Sequence, residues 1–472
     1  MQDSFDKYVR GEKRTGLLIF LVILLVVFFN PYEKTFESIL LSLAIILISF
    51  FPFILWRRNK HRNIVIPGII WYFSFHMIGF GVVGFIAHET GLGINIEGQW
   101  VEDLNKEKEI VAKSLVALHL IIVLVSVFCL KYFFPDKNSS KQLKQTYTNL
   151  QFKFSIFACL FFLLMMFGRV TNIFPWNNLL TNLAGFFSFM YLFYFLFYLN
   201  YGHWTLKLAA VIGCLIIRGA LLGPSIGPYA EVGIILLLIQ LQKGQIPIAP
   251  VGVLILAFIL YQPMKGTVRI MFDKGDYGIA ESLVTGFETL DVDDTLQIID
   301  IATKRIDYNL LLTSFIDNIG VANRSDFLGW KGYENLPYTV IPRALFPSKP
   351  IDDFANTWAV QEGYLATHDY ETSYNLPWVN QMYLSFGSQG IIIGSFIVAA
   401  LLFFLEKFYW TMKPNAWSFA VGYSIIRALI YLETDFSMSF GMVIKIILVD
   451  IFMGFIFYLL RATKSKKEVS YQ

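Results

Sequence analysis

Cysteine is scarce in this chain of 472 residues: Cys129, Cys159 and Cys214 lie far apart, each inside an apolar run and none with a CxxC partner. That spacing excludes a disulfide framework and a zinc site, and it leaves small buried hydrophobes as the reading. Charge is scarce as well. Asp, Glu, Lys and Arg make up 15% of the residues against 56% hydrophobic ones, and the mean hydropathy is +0.56. That is too little polar surface to cover a soluble globule, so the soluble multidomain organisation that the length alone would suggest is set aside. A net charge of +3 offers no electrostatic footprint for nucleic acid. No Ser/Gly/Pro-rich low-complexity run, internal repeat or nucleotide-phosphate loop occurs.

What the chain has in abundance is apolar sequence rich in Phe (46) and Tyr (24), the rings expected at lipid-facing and interfacial positions. Runs long enough to cross a bilayer recur near 16–31, 35–56, 64–87, 112–134, 154–173, 178–200, 205–222, 229–242, 246–264, 383–405, 415–433 and 438–460. The predicted fold class is an all-α polytopic membrane protein of about twelve transmembrane helices with one large extracytoplasmic loop. Residues 1–264 form an N-terminal membrane bundle, 265–382 the loop, and 383–472 the C-terminal helices and tail. The first run follows Lys7, Arg10, Lys13 and Arg14 but precedes no small-residue cleavage site, so it reads as a retained helix.

Lys and Arg set the orientation. They cluster at the N-terminus, at Arg57–Arg62, in 131–153 and at Arg461–Lys467, all on one side if the spans alternate, which predicts cytoplasmic termini. The loop 265–382 holds 17 of the 35 acidic residues and 9 of the 38 basic ones, and its outward side rests on the flanking spans. Within it, Leu296, Ile299, Thr303, Ile306 and Leu310 recur at helical spacing, predicting an amphipathic helix over 296–318 on the membrane face.

Ionisable side chains inside spans cost about 2.5–3.5 kcal/mol each on insertion scales, so each needs a reason. Arg169, Arg218, Arg427 and Lys445 fall at one depth beneath the outer loop, with Glu231 available as a counter-ion. Singly, each could snorkel to the interface or form a structural pair. Together they make an anion site suited to the phosphate headgroup of an amphiphile, because guanidinium matches phosphate oxygens in bidentate geometry. Asp450 lies nearer mid-membrane, where a helix-packing hydrogen bond is a simpler account than a proton relay.

Two runs in and after the loop stand out. Leu336 to Pro350 carries Pro342-Arg343-Ala344-Leu345-Phe346-Pro347-Ser348-Lys349-Pro350, where prolines hold a rigid path around two cations. Tyr383-x-x-Phe386-Gly387-x-x-Gly390 leads into a span, its glycines permitting close helix or lipid approach. At these residues the chain resembles the bacterial O-antigen and oligosaccharide repeat-unit polymerases, the Wzy-like family. Arg343 to Pro350 matches that family's loop run, Tyr383 to Gly390 its late-helix run, Arg218 its middle arginine, and Arg305-x-Asp307 its Arg-x-Ser. Two positions depart: Gln381 stands where the family has glutamate, and Asp307 where it has serine.

The resemblance implies a membrane-glycosyltransferase (GT-C-like) architecture in a bacterial cytoplasmic membrane. It further implies glycan polymerisation from undecaprenyl-pyrophosphate-linked oligosaccharide, with membrane lipid and polysaccharide-assembly proteins such as a flippase and a chain-length regulator as partners. No cofactor is expected. Fixed cations can stabilise the leaving pyrophosphate without a metal, and Arg218, Arg305, Arg343 and Arg427 are the candidates, with Lys349, Arg169, Lys445 and Tyr383 as further contacts. His368, in Thr367-His368-Asp369, is a candidate base that titrates near neutrality; Asp352, Asp353 and Glu371 are its rivals. Asp291-Val292-Asp293 imitates a metal-holding DxD element but sits in a solvated acidic stretch, so no metal is expected. A glycan ligase would use nearly the same chemistry. A flippase or transporter would call for repeats and broken mid-membrane helices, and neither is expected here.

Overall fold

The computed structural model describes residues 34–58, 67–83, 106–134, 203–222, 308–320, 327–339, 354–361 and 376–411, the strand pairs 95–96 and 99–100, and scattered positions at 192–197, 233–240, 341–348 and 422–451. Apart from an antiparallel pairing of Asn95–Ile96 with Gln99–Trp100, the described elements are helical. They are α1 (Lys34–Arg58), α2 (Pro67–His76), α3 (Lys106–Phe133), α4 (Trp204–Leu222), α5 (Tyr308–Gly320), α6 (Leu336–Thr339), α7 (Phe354–Gln361) and α8 (Trp378–Thr411).

Three of them hold stretches long and apolar enough to cross a membrane: Glu37–Ile54, Glu107–Phe133 and Trp378–Lys407. Acidic residues open α1 (Glu37) and α3 (Glu107, Glu109), where carboxylates complement the free N–H groups and the positive end of the helix dipole. The three helices run parallel. Ser38 of α1 meets Glu109 and Lys113 of α3 at one end, and Phe51 meets Phe128 towards the other. Likewise His119 pairs with Ser395 of α8, and a dozen residues on Lys131 pairs with Glu406. If all three span, parallel neighbours require an odd number of crossings between each pair. The expected run 205–222 coincides with the helix α4; the remaining expected spans lie wholly or partly outside the described residues.

α8 is not one helix. Phe386 (φ −142°, ψ 15°) and Gly387 (φ 63°, ψ −147°) leave helical geometry, and the chain turns back on itself. A Cβ on Gly390 would collide with the Met382 carbonyl, and one on Gly394 with the Met382 thioether. In a straight helix Met382 and Gly394 would stand about 18 Å apart. Trp378–Ser385 is therefore a half-helix folded against the start of a long helix, Ser388–Thr411. A broken helix is therefore present, and Phe386–Gly387 divides the apolar run expected to open at Tyr383. The glycines do serve close approach. Gly387 adopts a φ that L side chains rarely tolerate, and the Phe327 ring lies 2.8 Å from where its Cβ would stand.

A second departure lies just after α2, where His76 passes into a π-helical turn, Met77–Val82. Such turns interrupt the regular hydrogen-bond ladder and recur at functional sites. The helix expected over 296–318 is present as α5 from Tyr308; 296–307 lie outside the described residues. It is not a surface helix. Tyr308 to Thr313, Phe315 and Ile316 are buried, and α5 packs against α3, α8 and the π-helical turn.

Candidate functional site

Two polar clusters occupy the interior where loop and bundle meet. The first joins α2, α3 and the long part of α8. Ser395 directs its hydroxyl proton to the Ile391 carbonyl at 2.5 Å, so its oxygen accepts from His119 Nδ1 at 2.8 Å. With that nitrogen donating, His119 Nε2 carries the lone pair and accepts the Tyr72 phenol at 2.5 Å. His76 Nδ1 donates to the Tyr72 carbonyl at 2.8 Å, its ring 4.5 Å from that of Tyr72 and 5.5 Å from that of His119. Because the series ends on a backbone carbonyl of α8, it cannot pass a proton onward. It clasps three helices at one level.

The second cluster locks the loop to the half-helix. Gln381 donates its amide to the Gly332 carbonyl at 2.9 Å and accepts from the Phe436 backbone N–H at 2.6 Å. One side chain thereby ties the 3₁₀ turn Gly329–Tyr333 to the first N–H of the helical segment at Phe436. The donated bond needs an amide; an ionised glutamate at this place could only accept. Leu328 N–H bonds the Leu384 carbonyl at 3.1 Å, and Asn380 bonds the Tyr308 carbonyl at 3.3 Å. Tyr333 stacks on Phe386 and faces Ser385 and Asp435. Burial pushes its phenol up to about 12; the Ser385 hydroxyl opposes that rise and the Asp435 carboxylate adds to it. Asp435 is itself buried.

A third polar group, Ser38 with the Glu109–Lys113 ion pair at 2.7 Å, is buried between α1 and α3. Glu109 and Lys113 lie in the first two turns of α3.

Of the residues singled out from sequence, Tyr383 is buried on the half-helix with its ring edge-on to Phe327, 6.0 Å between centroids. Arg218 sits near the end of α4, its side chain outside the described residues. Arg169, Arg305, Arg343, Lys349, Asp352, Asp353, His368, Glu371, Arg427 and Lys445 also lie outside them, as do Glu231, Asp291, Asp293 and Asp450. Among the described residues no three His, Cys, Asp or Glu side chains group closely enough to hold a metal ion. Sequence reasoning passed over His76 and His119, although each stands inside an expected span and would repay the same scrutiny as an intramembrane arginine. It passed over Asp435, which lies in a short connection between two expected spans. Comparison with protein-family models, with curated proteins and with solved structures finds no match to this chain.

Proposed function

We propose that this protein is a polymerase of lipid-linked glycan, joining undecaprenyl-pyrophosphate-linked repeat units into O-antigen, capsular polysaccharide or exopolysaccharide at the outer leaflet of a bacterial cytoplasmic membrane. The observation that carries the reading is the Tyr383–Gly390 run together with what surrounds it. Its Phe386–Gly387 pair forms the turn of a half-helix hairpin, and the loop segment Leu328–Tyr333 docks on that hairpin through Leu384 and Gln381. Loop and membrane helices thus share one packed body, which supports a reading in which an acceptor and a lipid headgroup are held side by side.

In this reaction the acceptor's sugar hydroxyl attacks the donor's anomeric carbon with inversion, and lipid pyrophosphate leaves with the bonding electron pair. Arg218, Arg305, Arg343 and Arg427 stabilise the charge that develops on it, supported by Lys349, and guanidinium serves better than ammonium because it grips two oxygens at once. The donor is already activated, so the reaction draws on no nucleotide sugar. His368, Asp352, Asp353 and Glu371 are the candidates for receiving the hydroxyl proton.

Purified protein given its lipid-linked repeat unit in the presence of a chelator should yield a ladder of longer products. A single transfer to a foreign acceptor would assign a ligase instead. The π-helical turn beside His76, inside an expected span, favours one second reading, a transporter of the same lipid, since interrupted helices within a membrane bundle mark transport sites. A transporter would move the substrate across the bilayer and leave its length unchanged.

A further inference from the structure

The turn Gly329–Tyr333 carries a tryptophan that the packing does not cover. Trp330 is 75% exposed, yet its position is set: its ring lies edge-on to Phe386 at 5.2 Å and to Tyr333 at 6.3 Å. The turn's backbone is tied down by Leu328 to Leu384 and by Gly332 to Gln381. Exposed beside it in the chain are Lys331, Tyr338 and Ile341. A large ring held open to the surroundings at such ordering cost calls for a partner.

The partner is indicated by what adjoins the turn. Trp330 rests on Phe386, and the chain then enters the long part of α8, whose exposed face runs Ile392, Ile393, Phe396, Ile397 and Phe404. This is a helical stripe of exposed apolar side chains on a segment long and apolar enough to cross a membrane, a face suited to lipid tails. Trp330 stands at the head of that stripe, next to the exposed polar pair Ser388 and Gln389. At its foot Lys407 lies over Phe134 (5.0 Å) and Phe403 (5.6 Å), Lys131 pairs with Glu406, and Tyr132 and Phe133 are exposed. At 1.5 Å per residue, Phe386 to Lys407 spans about 30 Å, the thickness of a bilayer's hydrocarbon core. Aromatic rings and lysines at both ends of such a stripe mark the two interfaces, where an amphipathic ring is half in lipid and half in water and an ammonium reaches phosphate.

We infer that Trp330, Lys331, Tyr338 and Ile341 form a surface that docks on the phospholipid headgroup layer, the aromatic and aliphatic groups entering the acyl boundary and Lys331 meeting lipid phosphate. With the boundary at the Phe386–Gly387 turn, the half-helix Trp378–Ser385 folds back below the lipid surface. The clasp at Ser395 then lies about 12 Å beneath that boundary. Backbone at such depth is tolerated where it is enclosed by protein, as the burial of 376–385 is.

The test uses the full chain in phospholipid vesicles and the difference in tryptophan emission between wild type and Trp330→Phe. Phenylalanine keeps a ring in place, which protects the fold. Lipids brominated near the glycerol backbone should quench the Trp330 emission about twofold more than lipids brominated near the acyl terminus, as for an interfacial ring, and aqueous iodide should leave it nearly unchanged. Quenching by iodide with no response to brominated lipid would overturn the inference and assign this face to a water-borne partner such as a glycan. Should Trp330→Phe not fold, a nitroxide at Lys331→Cys, with Cys129, Cys159 and Cys214 replaced by Ser, reads the same quantity. Greater accessibility to oxygen than to a water-soluble nickel chelate supports the lipid contact, and the reverse refutes it. Neither measurement involves glycan transfer, so its outcome is independent of the proposed reaction.

Discussion

Replacing His119 by leucine tests the clasp most directly. The ring accepts from Tyr72 and donates to Ser395, and all three side chains are fully buried. The substitution removes two hydrogen bonds, worth about 0.6 kcal/mol each on the average for membrane helices and about 1 kcal/mol in water-soluble proteins. The larger effect is on what remains. Ser395 keeps the Ile391 carbonyl as acceptor and is not orphaned. The Tyr72 phenol has no second partner among the described residues, and an unmet buried donor costs a further 1–3 kcal/mol or so. His119→Leu should therefore destabilise the protein by roughly 2–5 kcal/mol. Adding Tyr72→Phe removes the orphaned hydroxyl, so the double variant should be more stable than His119→Leu alone by about 1–2 kcal/mol. Unfolding in lipid or mild detergent, by steric trapping or thermal denaturation, would measure these two variants and Tyr72→Phe alone. Strictly additive effects of the two substitutions would refute the hydrogen-bond series; a neutral His119→Leu would refute the clasp.

Gly387→Ala should cost about 1–3 kcal/mol from its positive φ alone, and more from the Phe327 ring lying where the Cβ would go, which a lowered thermal midpoint would record. Lys113→Met removes the cation paired with the buried Glu109 carboxylate and should cost about 3–5 kcal/mol, whereas Lys113→Met with Glu109→Gln should recover most of that in the same assay. The Tyr333 phenol is neutral in the folded protein and is held up from 10.0 to about 12. Its contribution is complete below pH 10 and should be lost as pH rises through 12, a change of up to about 2–3 kcal/mol that Tyr333→Phe abolishes. On the proposed reaction, Arg343→Lys keeps the charge but loses the two-oxygen grip, and should lower chain elongation by about tenfold or more with the protein still folded.

Hydropathy alone identified the membrane class and put the three long helices in place, because a run of apolar residues long enough to cross a bilayer is a local property that no tertiary contact is needed to read. The run 112–134 became the body of α3, and 35–56 fell wholly within α1. The Tyr383–Gly390 run was also legible as a place of close approach, since only glycine omits the Cβ. What it approaches was not legible. That Met382 folds onto Gly390 and Gly394, that Gln381 joins Gly332 to Phe436, and that His119 of one helix meets Tyr72 and Ser395 of two others are pairings across 8 to 276 residues of chain. A histidine in an apolar run gives the same local pattern whether it lies idle or clasps three helices. Its partners, and hence which nitrogen carries the proton, are decided only when packing brings the helices together, and the same packing draws loop residues 308–316 inside the bundle, a depth that their mixed composition does not state.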